Sequence, residues 1–138
     1  METSAPLSAD LELRLSTRDD GSLHLSAVHE GGCVASEAII PPNGIRAEMA
    51  SFTAIRRVLL SVASGCTVER ARRIPLPSGS TLFIFENYLA LNDAEGMQMR
   101  QWRAADFQQC PGITTFDLLY TLDLAATRRT SADFVSAA

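Results

Sequence analysis

Lysine is missing from this chain altogether: its twelve basic residues are all arginine, set against sixteen acidic ones. Arginine keeps its charge at any physiological pH and grips planar anions through a fixed fork, whereas lysine can be tuned down to act as a base or a Schiff-base amine. A phosphate-loop lysine, a Schiff base and a lysine general base are therefore all excluded. Two explanations of the absence stand side by side. One is codon bias in a GC-rich genome, and the other is avoidance of lysine-directed tagging in a host cell, lysine being the acceptor for ubiquitin.

Other scarcities narrow the class further. The three cysteines, Cys33, Cys66 and Cys110, form no CxxC pair, which suits neither a disulfide framework nor a zinc ribbon and predicts free, buried thiols in a reducing compartment. No apolar run approaches the length of a transmembrane helix, and Met1 to Asp10 lacks the basic-then-apolar order of a secretory signal. A soluble, intracellular (cytoplasmic) protein is expected, or one acting inside a host cell if its source is a pathogen. With 138 residues, 46% of them hydrophobic, the chain suits one domain around one core. A net charge of −4 weighs against broad, sequence-independent nucleic-acid binding, which needs a basic field.

Periodicity supplies the organisation. Leu11, Leu13 and Leu15 alternate with polar residues as in a half-buried strand, Asp19-Asp20-Gly21 makes a turn, and Leu23, Leu25 and Ala27 return. A third strand is predicted from Cys33 to Ile40, stopped by Pro41-Pro42-Asn43-Gly44. Ile45, Met49, Phe52, Ile55, Leu59 and Val62 then place an apolar stripe on a helix that ends at Ser64-Gly65. The second half repeats the plan. A polar strand from Val68 to Ile74 precedes a loop from Pro75 to Ser80. Leu82 to Phe85, apolar on both faces, predicts a central strand covered on each side, running on through Tyr88, Leu89 and Leu91. A turn from Asn92 to Gly96 leads to a strand from Met97 to Trp102, and Ala104 to Gln109 makes a helical turn that Cys110-Pro111-Gly112 interrupts. Thr114 with Asp117 resembles a capping box opening a second helix through Phe116, Leu119, Tyr120 and Leu124, with Arg128 and Arg129 at its end. The expectation is an α+β domain over residues 11–129, a curved and mostly antiparallel sheet with two helices, strand run then helix occurring twice. Flexible segments are expected at 1–10 and 130–138. Leu13, Leu25, Phe52, Leu59, Phe83, Phe85, Leu119 and Leu122 are the expected core.

No catalytic constellation emerges. His24, His29 and Cys33 have the only conceivable ligand spacing, but the odd separation of the histidines on one strand sends them to opposite faces. There is no G-x-S-x-G elbow and no phosphate loop, and Asp19-Asp20 and Asp93 with Glu95 fall in turns that solvation explains. No cofactor, metal ligand set or catalytic residue is assigned, and an enzyme is not expected. The remaining signal is arginine. Arg70, Arg72 and Arg73 lie on one predicted strand, and Arg100 and Arg103 flank Trp102, the sole tryptophan. On a shared sheet these six would form one surface, suited to a protein partner or to stacking and gripping a single nucleic-acid strand. A non-enzymatic, homodimeric protein-binding module is expected. One alternative is single-stranded nucleic-acid binding, since the architecture is similar to the Whirly and Pur-type modules in topology. Another is a small acidic secretion chaperone, although that family's N-terminal helix is not evident here.

Overall fold

Alternation, a tight turn and a return are enough to build the first sheet. A computed structural model describes residues 2–40, 47–64 and 71–127, except the side chains of 47–51 and of Thr127. Strands β2 (Leu11–Thr17) and β3 (Leu23–His29) pair antiparallel, with Leu15 opposite Leu25 and Leu13 opposite Ala27. Between them Gly21 takes a φ of 85°, which only glycine adopts cheaply. The Asp20 carboxylate accepts hydrogen bonds from the backbone N–H and the hydroxyl of Ser22, and these hold its pKa below the ordinary value. The chain returns through Glu30 and Gly31, both left-handed, into β4 (Gly32–Ile40).

The N-terminal segment corrects the sequence reading. It is not a loose end but strand β1 (Glu2–Pro6), antiparallel to β2, with Ala5 and Leu7 fully buried. Pro6 can end this strand because β1 is an edge, where a missing N–H breaks no ladder. The first sheet is thus a four-stranded meander, β1-β2-β3-β4.

Helix α1 (Ala47–Val62) follows where the apolar stripe predicted it. Phe52, Ile55 and Leu59 are buried as expected, joined by Ala54 and Val58, while Val62 is half-buried. Ile45, Gly65 and the side chain of Met49 lie outside the described residues. The buried face packs on β3 and β4, so the stripe is a core face and not an exposed contact. Polar residues work on the other side: Arg57 pairs with Glu37 of β4 at 3.1 Å.

A second meander is built from β5 (Arg72–Pro75), β6 (Thr81–Ile84), β7 (Tyr88–Asn92) and β8 (Gln98–Arg103), in that order. Arg56 of α1 donates from Nε to the carbonyl of Phe85 at 3.0 Å, tying the helix to the β6–β7 turn. Residues 65–70, including Arg70, Cys66 and the start of the polar strand, lie outside the described residues. Ile74, Leu82, Ile84, Leu89, Leu91 and Trp102 form the inward face. Phe83 and Phe85 were expected in the core but lie on the opposite face, half-buried. There the Phe85 ring stacks on Tyr88 at 4.4 Å and stands 6.3 Å from Phe83. Among the described residues, the outer face of β6 carries this aromatic group.

The described residues hold three helices where two were expected. α2 (Ala104–Gln109) is capped by Asp106, whose carboxylate accepts from the Arg103 backbone N–H at 2.9 Å. Pro111, read as an interruption, instead opens α3 (Pro111–Thr127), since proline is tolerated where the first helical N–H has no partner anyway. α3 lies against β1 and β4, and α2 packs between α1, α3 and β8. Both sheets and all three helices feed one continuous core. The α+β class, with strand runs followed by helices, is the architecture of the chain. The described strands are divided between two antiparallel sheets, four to each run.

Candidate interaction surface on α3 and β8

At about 100° per residue, α3 sorts its side chains into two faces. Thr115, Leu118, Leu119, Leu122 and Ala125 turn inward and are fully buried. The Thr115 hydroxyl, which burial would otherwise strand, donates to the Pro111 carbonyl at 2.6 Å. Ile113, Phe116 and Tyr120 turn the other way, within an arc of roughly 60°, and are 76%, 44% and 56% exposed. The helix carries only two charged residues, Asp117 and Asp123. Neither is a free charge: Asp123 has a partner, and one oxygen of Asp117 accepts from two side chains of β8.

The grip on Asp117 defines the rest of the site. Its carboxylate accepts from the Trp102 indole N–H at 2.9 Å and from the Arg100 guanidinium. The same guanidinium sits 5.6 Å from the centre of the Trp102 ring, within cation–π range. Two-residue spacing on β8 places Arg100 and Trp102 on one face, so α3 docks against this strand through one closed group of side chains. Beside it runs a groove of about 410 Å³, lined by Arg100, Trp102, Asp106, Gln109, Ile113 and Asp117 among others. An apolar ridge with a groove of mixed polar and apolar lining along its flank is the arrangement that results.

Of the six arginine and tryptophan positions singled out in the sequence, the five that are described do not form one surface. β5 and β8 do share a sheet, but at opposite edges with β6 and β7 between, about 14 Å apart at the usual strand spacing. Trp102 is 2% exposed and cannot offer its ring to a base. Arg72 is spent on the Ala63 carbonyl at 3.0 Å, anchoring β5 to the end of α1. Arg100 is occupied by Asp117, and Arg70 lies outside the described residues. Arg73 and Arg103 are exposed and share the outer sheet face with Phe83 and Tyr88, one at each edge. A helix opening at Thr114 leaves Ile113 outside it, and the spacing of Phe116, Leu119, Tyr120 and Leu124 does not by itself separate an inner from an outer face. The available signal was a helix apolar all the way round, which one protein side cannot cover.

Among the described residues, Arg14 Nε, His24 Nδ1, Arg72 Nε and Asn92 Oδ1 are buried without a hydrogen-bond partner. His24 and His29 fall on opposite faces of β3, in rows with Ser16 and Leu11 respectively. His29 pairs with Asp10 at 3.4 Å, and Glu30 completes a cluster whose ligand-type atoms lie within 4.8 Å; all three residues are exposed. Cys33 and Cys110 are free thiols as expected, but exposed, not buried. Arg14 is engaged by Glu12 and Glu2 in the concavity at the end of the first sheet. Among the described residues no helix is long and apolar enough to cross a membrane. Comparison with protein-family models, with curated proteins and with solved structures finds no match.

Proposed function

We propose that the protein is a non-enzymatic protein-binding module whose docking surface is the outer face of α3 with the adjoining β8 groove. One observation carries this reading: Ile113, Phe116 and Tyr120 form a continuous exposed apolar stripe on a helix with no free charge. Aligned exposed apolar side chains, unlike scattered ones, mark association surfaces. The composition fits a docking site, with aromatic residues at the centre and polar groups such as Gln109 and Asp106 at the rim. Single-stranded nucleic acid is the weaker reading. Trp102 is buried, Arg72 and Arg100 are occupied, and the net charge of −4 opposes long-range attraction of phosphates.

The test is affinity capture from the source cell with and without nuclease, using the natural chain and a variant with Ile113, Phe116 and Tyr120 all changed to serine. The reading expects protein partners that resist nuclease and are lost with the variant. Capture that nuclease abolishes, or that the variant leaves intact, contradicts it.

A further inference from the structure

The occupant of this face can be named, on the reading that it is a protein-docking surface. We propose that it is a second copy of this chain, packed antiparallel along α3 about a two-fold axis passing between Phe116 and Asp117.

Two-fold association requires one patch to complement itself, residue i meeting residue j and j meeting i. The α3 stripe meets this condition. Its ends, Ile113 and Tyr120, are seven residues apart, and Phe116 stands next to their midpoint. Reversing the helix about that midpoint lays the branched aliphatic Ile113 against the broad ring of Tyr120 in the second copy. The same operation brings the two Phe116 rings side by side. The stripe spans about 10 Å of helix and is interrupted by no charge. Helices can therefore approach to the 8–10 Å at which side chains interlock.

Charge favours the same arrangement. The axis runs beside Asp117, and two bare carboxylates facing each other there would repel. Each arrives already bound to its own Arg100 guanidinium and Trp102 indole N–H. Arg100 and Asp117 keep 49% and 36% of their side-chain surface exposed. The two-fold then confronts alternating plus and minus charges, each Arg100 within reach of the other copy's carboxylate. The other long apolar stripe of the chain, on α1, is buried against β3 and β4 and is not available for this role.

The geometry is tested by linking single cysteines in the full chain, with Cys33, Cys66 and Cys110 changed to serine. A linker reaching about 8 Å should join Phe116→Cys to itself in most molecules, because the two positions are nearly level. Ile113→Cys should link poorly to itself, since antiparallel packing offsets the two copies by about 10 Å along the axis. It should link well when mixed with Tyr120→Cys. Light scattering should give twice 14.9 kDa for the natural chain. Phe116→Ser should weaken that association by roughly tenfold or more, as expected of a central aromatic anchor. Since these side chains are exposed, circular dichroism should show each variant folded; if Phe116→Cys is not, the Ile113→Cys and Tyr120→Cys mixture carries the test alone. Ile113→Cys linking to itself more readily than to Tyr120→Cys would indicate parallel packing and overturn the proposal. So would a monomer mass at every concentration. If that monomer still captures another protein through the stripe, this proposal falls while the docking reading survives. If the triple-serine variant changes neither property, both fall.

Discussion

α1 and α3 are helices of similar length in the same small fold, and they divide their residues in opposite ways. α1 turns Phe52, Ala54, Ile55, Val58 and Leu59 inward and gives its other side to Arg56 and Arg57, which are bonded to the Phe85 carbonyl and to Glu37. The described part of its apolar face is buried within one chain. α3 buries Leu118, Leu119 and Leu122 just as deeply, yet leaves Ile113, Phe116 and Tyr120 in water. Where α1 keeps guanidinium groups on its outer side, α3 has two acids already partnered. The difference teaches what amphipathicity reports. A helix with one apolar face belongs to its own core, and one with two apolar faces has a further surface to cover.

The largest effect that can break this comparison lies on α1. Phe52→Ala removes a buried ring 5.5 Å from that of Phe107, and should cost about 3–5 kcal/mol in denaturant unfolding. The matching change on α3, Phe116→Ala, should cost less than about 1 kcal/mol at high dilution, where no partner covers it. Equal losses would show the two helices to be alike.

The next effect tests how α3 is held. Asp117→Ala strips the buried Trp102 N–H of its acceptor, and an unsatisfied buried donor costs about 1–3 kcal/mol. Asp117→Asn keeps an acceptor oxygen and should recover part of that loss. If both variants are as stable as the natural chain, β8 does not position α3 in the way described.

The smallest effect lies away from both helices and serves as a control. Burial, assisted by Arg18 and partly opposed by Asp20, lowers the His24 pKa from its ordinary value of 6.5. The folded state therefore favours the neutral ring. That contribution is present above the unfolded value and is lost as pH falls below about 6.5 toward the folded one. Stability should decline modestly over that interval, by less than about 1 kcal/mol from this group. His24→Gln should reduce the decline, and to the same extent at low and high protein concentration. A change that appears only at high concentration would place His24 in an interface.

Legibility followed the strength of the local signal. The β2–β3 hairpin was evident from Leu13, Leu15, Leu25 and the Asp-Gly turn, and α1 from its stripe, because their periodicity and tertiary burial agree. β1 was hidden because Ser4, Ala5 and Pro6 have little strand propensity, and its order comes from pairing with β2. The Glu86-Asn87 turn carries no glycine, so β6 and β7 read as one strand. Pro111 was legible as a breaker but equally fits a helix start, and only the chain's path decides between them. The arginine surface failed for a tertiary reason. Nothing near Trp102 in sequence announces that Asp117 takes its N–H, or that β5 and β8 are the two edges of their sheet.

The claim that the outer face of α3 is covered by a second copy of the chain is tested most directly by hydroxyl-radical footprinting of the natural chain across a wide range of concentration. The account predicts that Ile113, Phe116 and Tyr120 become protected together as concentration rises. Val34 and Met97, also exposed but remote in sequence from the stripe, should react equally throughout. Unchanged reactivity of the three α3 residues, in a sample whose Phe52 and Leu59 remain protected, would contradict it.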